Sequence, residues 1–197
     1  MILVSCFEPF GGERRNSTQE VCRVLEQENI KDVHFCVLPV VWKRSFDVLS
    51  KEIDVLKPRA VLCLGQAKRE GIELERLAHN WDDFRIPDNA GLQIQQREII
   101  AGESKQLRST LPLLDLKNAL EEAMIPTRFS DSAGTFVCNH LFYSLQHACK
   151  NQAIISGFVH IPQLPEQAKE GDSSMSLMQQ IQAVRVMIMA LLQSISV

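Results

Sequence analysis

Short runs of almost wholly apolar residues, each separated by a helical pattern, constrain this chain more than any other feature. Residues 2–6, 60–64 and 153–159 are runs of this kind. A continuous apolar run of this length, bounded by turn residues, is typical of a strand buried on both faces of a sheet. A longer run at 33–41 predicts a further strand, and residues 73–77 are compatible with a short strand or a turn.

Apolar residues at helical spacing follow these strands and predict amphipathic helices. The first helix opens on a capping-box pattern at 17–20, and the second ends before Pro58. Asp115 is predicted to cap a third helix, and the last helix is predicted to start at Ser173 or Ser174. Its apolar stripe consists of Leu177, Ile181, Val184, Ile188 and Leu191.

Buried strands that alternate with amphipathic helices indicate an α/β chain with helices on both faces of a mostly parallel sheet. The sequence therefore predicts a single three-layer α/β/α domain spanning residues 1–197, a length that suits one domain. In such sheets functional groups gather beyond the carboxyl ends of the strands. The loop at 7–12, a turn at 65–67 and His160 at the end of its strand are expected to lie there.

Charge and cysteine content indicate which binding partners and which cellular compartment to expect. The chain is 45% hydrophobic and carries a net charge of −3, without a basic cluster, so nucleic acid and anionic membranes are not expected partners. The first residues look like a strand and not a signal peptide, because no basic region precedes the apolar run. Six cysteines without a C-x-x-C pair fit a reducing compartment, and we expect a cytoplasmic protein with no metal or cofactor.

Cys138 is the cysteine most suited to chemistry. It stands between Gly134 and the apolar positions of a predicted helix, at or within a turn of the helix start. Unpaired backbone N–H groups and the helix dipole favour an anion at such a start, which favours the thiolate and also a tetrahedral oxyanion.

A cysteine nucleophile needs a base, and histidine serves near neutral pH. Of five histidines, His160 is best placed, because it closes a strand and precedes a proline-rich loop. A carboxylate should orient the imidazole, and the spacing leaves several candidates open. They are Glu75, Asp82, Asp83 and Asp88.

Six stretches, in order along nearly the whole chain, resemble pyroglutamyl-peptidase I, also called pyrrolidone-carboxylate peptidase, of the bacterial type. They read FEPFGG at 7–12, GQA at 65–67, ER at 75–76, RIPDN at 85–89, AGTFVCNHLFY at 133–143 and GFVHIPQLPEQ at 157–167. The resemblance implies a cytosolic cysteine exopeptidase, commonly a homotetramer, that removes an N-terminal pyroglutamyl residue from peptides without a cofactor.

Carried over by motif, the resemblance implies a catalytic triad of Cys138, His160 and Glu75. It implies aromatic walls for the lactam ring and a ring-binding glutamine, with further residues near the site. The expected substrate-binding residues are Phe7, Phe10, Asn16, Gln66, Arg85, Ile86, Phe136 and Val137.

The sequence departs from the family pattern after Gln66. It reads Lys68 and Arg69 where two glycines are usual and Glu70 where an arginine is usual, and the segment is about one residue shorter. Two alternatives follow: a pyroglutamyl-binding homologue impaired in catalysis by this loop, or a different cysteine amidase. The amidase is less favoured because Cys138 lacks the glycine-flanked elbow of that class.

Overall fold

The structure, a computed structural model, describes residues 1–196 and is built on a six-stranded sheet. Its strands are β1 (Ile2–Phe7), β2 (Val33–Leu38), β3 (Ala60–Ala67), β4 (Ile72–Glu75), β7 (Thr127–Ser130) and β8 (Ile155–Pro162). The order across the sheet is β2-β1-β3-β8-β4-β7. A separate two-stranded antiparallel sheet is formed by β5 (Leu77–His79) and β6 (Gln106–Arg108).

The sheet is mostly parallel, as the sequence predicts, with one reversal that matters for the site. Strands β2, β1, β3 and β8 run in the same direction. Strand β4 runs antiparallel to β8 and parallel to β7. The end of β4 therefore lies beside the middle of β8 and not beside its carboxyl end.

Helices cover both faces of this sheet. They are α1 (Ser17–Gln27), α2 (Arg44–Leu56), α3 (Leu113–Glu122), α4 (Val137–Cys149) and α5 (Leu177–Ser196). One core contains residues of α1, α3 and α5, and a second core on the opposite face contains residues of α2 and α4. The predicted α/β/α layering is thus confirmed.

Successive side chains of a strand point to opposite faces of the sheet, so each strand contributes apolar residues to both cores. In β1, Ile2 and Val4 belong to the first core and Leu3 and Phe7 to the second. Both sets are buried, which is why the strand reads as a continuous apolar run.

The last helix shows the predicted apolar stripe. Val184, Ile188 and Leu191 are fully buried, and Leu177 and Ile181 pack against the same core. Within residues 1–196, no helix combines the length and apolarity needed to cross a membrane.

Several predicted strand ends were wrong. Strand β2 ends at Leu38, and residues 65–67 continue β3 instead of forming a turn, because they pair with residues 160–162 of β8. For the same reason His160 lies inside β8, two residues before its end. Pairing between β3 and β8 makes both strands longer than predicted, so that β3 continues through Gly65 and β8 continues to Pro162.

The predicted helix starts also shifted. Asn16 caps α1 by accepting a hydrogen bond from Thr18 N, so Ser17 is already helical. Pro112 precedes α3, which places Asp115 in its first turn. Helix α5 begins at Leu177, after Ser173 and Ser174. Each predicted cap lay within about one turn of the observed start.

Candidate active site

Cys138 is the second residue of α4, and its thiol is partly exposed. The preceding Phe136 has an extended backbone and provides no side-chain cap for the helix. The first N–H groups of a helix have no partner within it, so those at 137 and 138 remain available to an anion. The sequence prediction placed the cysteine at this helix start.

His160 lies on β8 with its ring almost entirely buried. Its Nδ1 atom is 2.7 Å from Glu75 Oε1, and the Cys138 thiol lies on the same cavity, close enough to raise the pKa of the ring. Because Glu75 occupies Nδ1, the other ring nitrogen is the one left for sulfur. The three side chains therefore lie in the order carboxylate, imidazole, thiol.

This environment changes the basicity of the imidazole. Burial on its own lowers the pKa of His160, but the hydrogen bonds to Cys138 and Glu75 outweigh it and raise the pKa to about 9. An imidazole with that pKa carries a proton at neutral pH. The proton that a leaving amine requires is thus already in place beside the sulfur atom.

Glu75 ends β4 and is completely buried. Its Oε1 contacts His160, while its Oε2 has no hydrogen-bond partner among residues 1–196. Two residues earlier, the buried Glu73 is paired with Arg69 at 2.7 Å and with Arg128. The arginines neutralise Glu73, so Glu75 is the carboxylate left to act on the imidazole.

Gly65 makes room for the histidine ring. It pairs with His160 across β3 and β8. A Cβ atom at this position would lie 2.7 Å from the ring of Phe158 and 3.0 Å from His160 Cδ2, which is closer than carbon atoms pack. Phe158 in turn lies against the imidazole, with 5.0 Å between ring centroids.

Three other candidates from the sequence have different partners. Asp82 Oδ2 is 2.8 Å from His140 Nδ1 and accepts a hydrogen bond from Trp42 Nε1. Asp88 accepts backbone hydrogen bonds within its own loop and from Trp42 N. The backbone of Asp83 donates to Thr135 O and accepts from the Thr135 hydroxyl. The structure places only Glu75 of the four against His160.

A narrow slot opens on one side of Cys138. Its lining contains no charged residue and consists of Phe7, Phe10, Asn16, Val40, Gln66, Phe136, Val137 and Cys138. Six of the eight expected substrate-binding residues are in this set. Val40 was not among them, although its place just beyond the carboxyl end of β2 was a signal for it.

Gln66 has a fixed orientation in the slot. Its Oε1 atom accepts a hydrogen bond of 2.6 Å from Ser17 N at the start of α1. The amide NH₂ is therefore the group that it can offer to a ligand. Asn16 lines the slot as well, but both ends of its amide are used, since it caps α1 and donates to Glu8 O.

A larger cavity of about 540 Å³ adjoins the slot at Cys138. It shares Phe10, Gln66, Phe136 and Cys138 with the slot, and His160 also lines it. The remaining two expected substrate-binding residues, Arg85 and Ile86, lie here. Lys68 and Arg69, from the segment that differs from the family pattern, also line this cavity.

Comparison with known proteins decides the family. A family model described as "Pyroglutamyl peptidase" matches residues 1–194. The chain belongs to the pyroglutamyl peptidase family. The resemblance drawn from the six sequence stretches is confirmed.

Pyroglutamyl peptidase relatives match over nearly the full length of the chain. The pyrrolidone-carboxylate peptidase of Vibrio vulnificus (strain CMCP6) is 42% identical over 197 residues, covering 98% of this chain and 93% of the relative. That of a Bacillus cereus strain is 44% identical over 183 residues, covering 89% and 85% respectively.

Solved structures of pyroglutamyl peptidases share the fold. Pyroglutamyl peptidase I from Bacillus amyloliquefaciens has a TM-score of 0.90 at 34% identity, covering 96% of this chain and 93% of that one. A mutant pyrrolidone carboxyl peptidase from Pyrococcus furiosus also has a TM-score of 0.90, at 37% identity and 98% coverage of both chains.

Proposed function

We propose that this chain hydrolyses the bond after an N-terminal pyroglutamyl residue, using Cys138 as nucleophile, His160 as base and acid, and Glu75 to orient His160. The observation that carries the proposal is the Glu75–His160 contact next to Cys138, at the edge of an uncharged slot. Membership of the pyroglutamyl peptidase family supports the substrate class.

The reaction begins with sulfur attack. At neutral pH the imidazole already holds the proton that Cys138 gives up, and the sulfur adds to the pyroglutamyl carbonyl carbon. The backbone N–H at the start of α4 stabilises the oxyanion, with positive charge from Arg85 on the cavity side. His160 protonates the departing amine, which leaves as the shortened peptide and yields a thioester. Water, deprotonated by His160, then hydrolyses the thioester.

The slot selects the ring. A pyroglutamyl ring is small and uncharged, so it suits walls formed by Phe7, Phe10 and Phe136. The Gln66 NH₂ donates to the lactam carbonyl, because its oxygen is held by Ser17 N. A residue attached to the ring nitrogen would have no space in the slot, which makes the enzyme an exopeptidase.

Ring binding involves movement of an aromatic side chain. The slot has a cavity volume of about 20 Å³, which is room for roughly one water molecule. Phe10 lies in the loop after β1, is only half-buried, and packs against Phe136 with 6.2 Å between ring centroids. Phe10 is therefore the wall that turns aside when the ring enters.

The decisive assay uses a pyroglutamyl coumarin amide under reducing conditions. Wild type should release the fluorophore, Cys138→Ser should release none, and a prolyl coumarin amide should not be cleaved. The proline ring lacks the carbonyl that Gln66 recognises. Folded wild type that binds but does not cleave the pyroglutamyl amide would overturn the proposal in favour of a binding protein.

We further propose that the chain acts as one catalytic domain within a cytoplasmic homo-oligomer, a tetramer by family resemblance. Exposed apolar side chains on α3 and α5 support association. Leu114 is 63% exposed, Met178 80% and Met189 49%. Light scattering coupled to size-exclusion chromatography tests this assembly directly, and a monomeric mass at working concentration would refute it.

A further inference from the structure

The two cavities that meet at Cys138 differ in charge. The slot is lined without a charged residue, whereas the larger cavity is lined by three cations, Lys68, Arg69 and Arg85, and by no carboxylate. The chain as a whole has a net charge of −3, so this concentration of positive charge is not a property of the surface at large.

The shared Cys138 fixes what each cavity receives. If the pyroglutamyl ring occupies the slot, its carbonyl carbon lies at the sulfur atom, and the amine on the other side of the scissile bond points into the larger cavity. Everything that leaves in the first step therefore passes along the wall formed by Lys68, Arg69 and Arg85.

We propose that this wall is a carboxylate-binding subsite and that the enzyme prefers substrates whose leaving group carries a carboxylate close to the scissile bond. The carboxylate is either the side chain of an acidic residue after the ring or the C-terminal group of a dipeptide. This inference rests on the proposed function and specifies which pyroglutamyl peptides it acts on best.

The cations differ in how strongly they are already engaged. Arg85 is exposed, and no carboxylate within residues 1–196 pairs with it. Lys68 pairs with Asp172 at 2.7 Å, but its side chain is 63% exposed, and a pair of that kind is weak enough to exchange for a substrate carboxylate.

Arg69 is held more firmly. It pairs with the buried Glu73, which also binds Arg128. Two arginines thus share the Glu73 carboxylate, and Glu70 adds a further negative charge near Arg128 and not on the cavity lining. Arg69 is a fixed cation on the cavity lining, and the more exposed Lys68 and Arg85 supply the groups that bind the carboxylate.

The test compares kcat/KM for matched substrates at low ionic strength. Pyroglutamyl-glutamate amide is set against pyroglutamyl-glutamine amide, which has the same shape without the charge, and free pyroglutamyl-alanine is set against its amide. We expect about a 3- to 10-fold preference for the charged member of at least one pair. The first pair reports a side-chain carboxylate and the second a C-terminal one.

The preference should also be electrostatic. Raising the salt from about 0.02 M to about 0.5 M should reduce it to near unity, while cleavage of the neutral amides changes little. Lys68→Gln should lower the ratio, and Lys68→Glu should bring it to one or below. Lys51→Gln removes an exposed lysine of α2 that lines neither cavity, and should leave the ratio unchanged.

The outcomes separate the two proposals. Cleavage of the neutral amides with no preference for either charged partner would overturn the subsite while the proposed function stands. A preference that Lys68→Glu leaves intact would also overturn the proposal, because Lys68 would then not bind the substrate carboxylate. Absence of cleavage for all four substrates would overturn the proposed function, and the subsite with it.

Discussion

Glu75 Oε1 lies 2.7 Å from His160 Nδ1, although the two residues are 85 positions apart on strands that run in opposite directions. In the antiparallel register Glu75 faces Phe158, and His160 faces Glu73. The contact is therefore diagonal, between residues on the same side of the sheet. Because β4 runs antiparallel to β8, the carboxylate approaches the imidazole from beside Phe158, two residues before His160 in β8.

Replacing Glu75 by glutamine should reduce kcat about 10²- to 10⁴-fold, because the imidazole loses both its orientation and the negative charge that stabilises its protonated form. The thiol should remain in place. The measurement is steady-state hydrolysis of the coumarin amide together with circular dichroism to verify folding.

Asp82→Asn is the matched control for that experiment. It also removes a buried carboxylate from a histidine, since Asp82 contacts His140 at 2.8 Å. This pair lies outside the slot and the larger cavity. Comparable loss of kcat in both variants would mean that Glu75 acts only through stability.

Activity should decline at alkaline pH with a midpoint near the His160 pKa of about 9. Above that pH the imidazole loses the proton that the leaving amine needs. In Glu75→Gln the pKa should fall, because a hydrogen bond that raises it is lost while burial continues to lower it, and the decline should move to lower pH. A pH profile of kcat for both proteins measures this shift.

The same pKa affects stability. The folded-state pKa of His160, about 9, lies above its ordinary value of 6.5. Its contribution to the free energy of unfolding is therefore fully present below pH 6.5 and is lost as the pH rises through about 9. Urea denaturation across this window should show wild type losing stability more than His160→Gln does, and parallel losses would contradict the assignment.

Thiol labelling should single out Cys138. Burial raises the pKa of Cys63 to about 12 and also raises those of Cys22 and Cys149, which keeps them protonated. Iodoacetamide under native conditions should therefore react at Cys138 at least about 10-fold faster than at these buried thiols. Peptide mapping by mass spectrometry identifies the site. Cys149→Ser should retain the fast phase, and Cys138→Ser should lose it.

Gly65→Ala should impair catalysis beyond its effect on stability. The new methyl group would displace Phe158 and the His160 ring, with a cost of about 1–3 kcal/mol in unfolding free energy. Gly157→Ala is the control, because its Cβ would meet Ser109 and Leu111 instead of the histidine. We expect both variants to lose a similar amount of unfolding free energy, but only Gly65→Ala to show a reduced kcat. Equal kcat in the two folded variants would contradict it.

Gln66→Glu should raise KM about 10- to 100-fold with a smaller effect on folding. The carboxylate can still accept the hydrogen bond from Ser17 N at the start of α1, which favours negative charge. It cannot donate to the lactam carbonyl. The measurement is KM for the pyroglutamyl amide, and an unchanged KM would remove Gln66 from ring recognition.

The sequence by itself was sufficient to predict the layers of this fold and to select Cys138 and His160 as the candidate nucleophile and base. Apolar runs such as residues 2–6 and helical stripes such as that of α5 are local patterns, set by burial on one or two faces, and they were sufficient for the α/β/α prediction. Cys138 at a helix start could be inferred because helix ends are marked within a few residues.

Only the tertiary structure decided which carboxylate meets His160. Spacing along the sequence could not choose among the four candidate carboxylates, and only the family resemblance selected Glu75. What separates it is the reversed direction of β4, a non-local pairing that brings residue 75 to Phe158. The pairing of Asp82 with His140 and the cationic wall at Lys68 and Arg69 depend in the same way on distant segments meeting. Local patterns encode burial, whereas strand direction and side-chain neighbours are set by the packing of the whole chain.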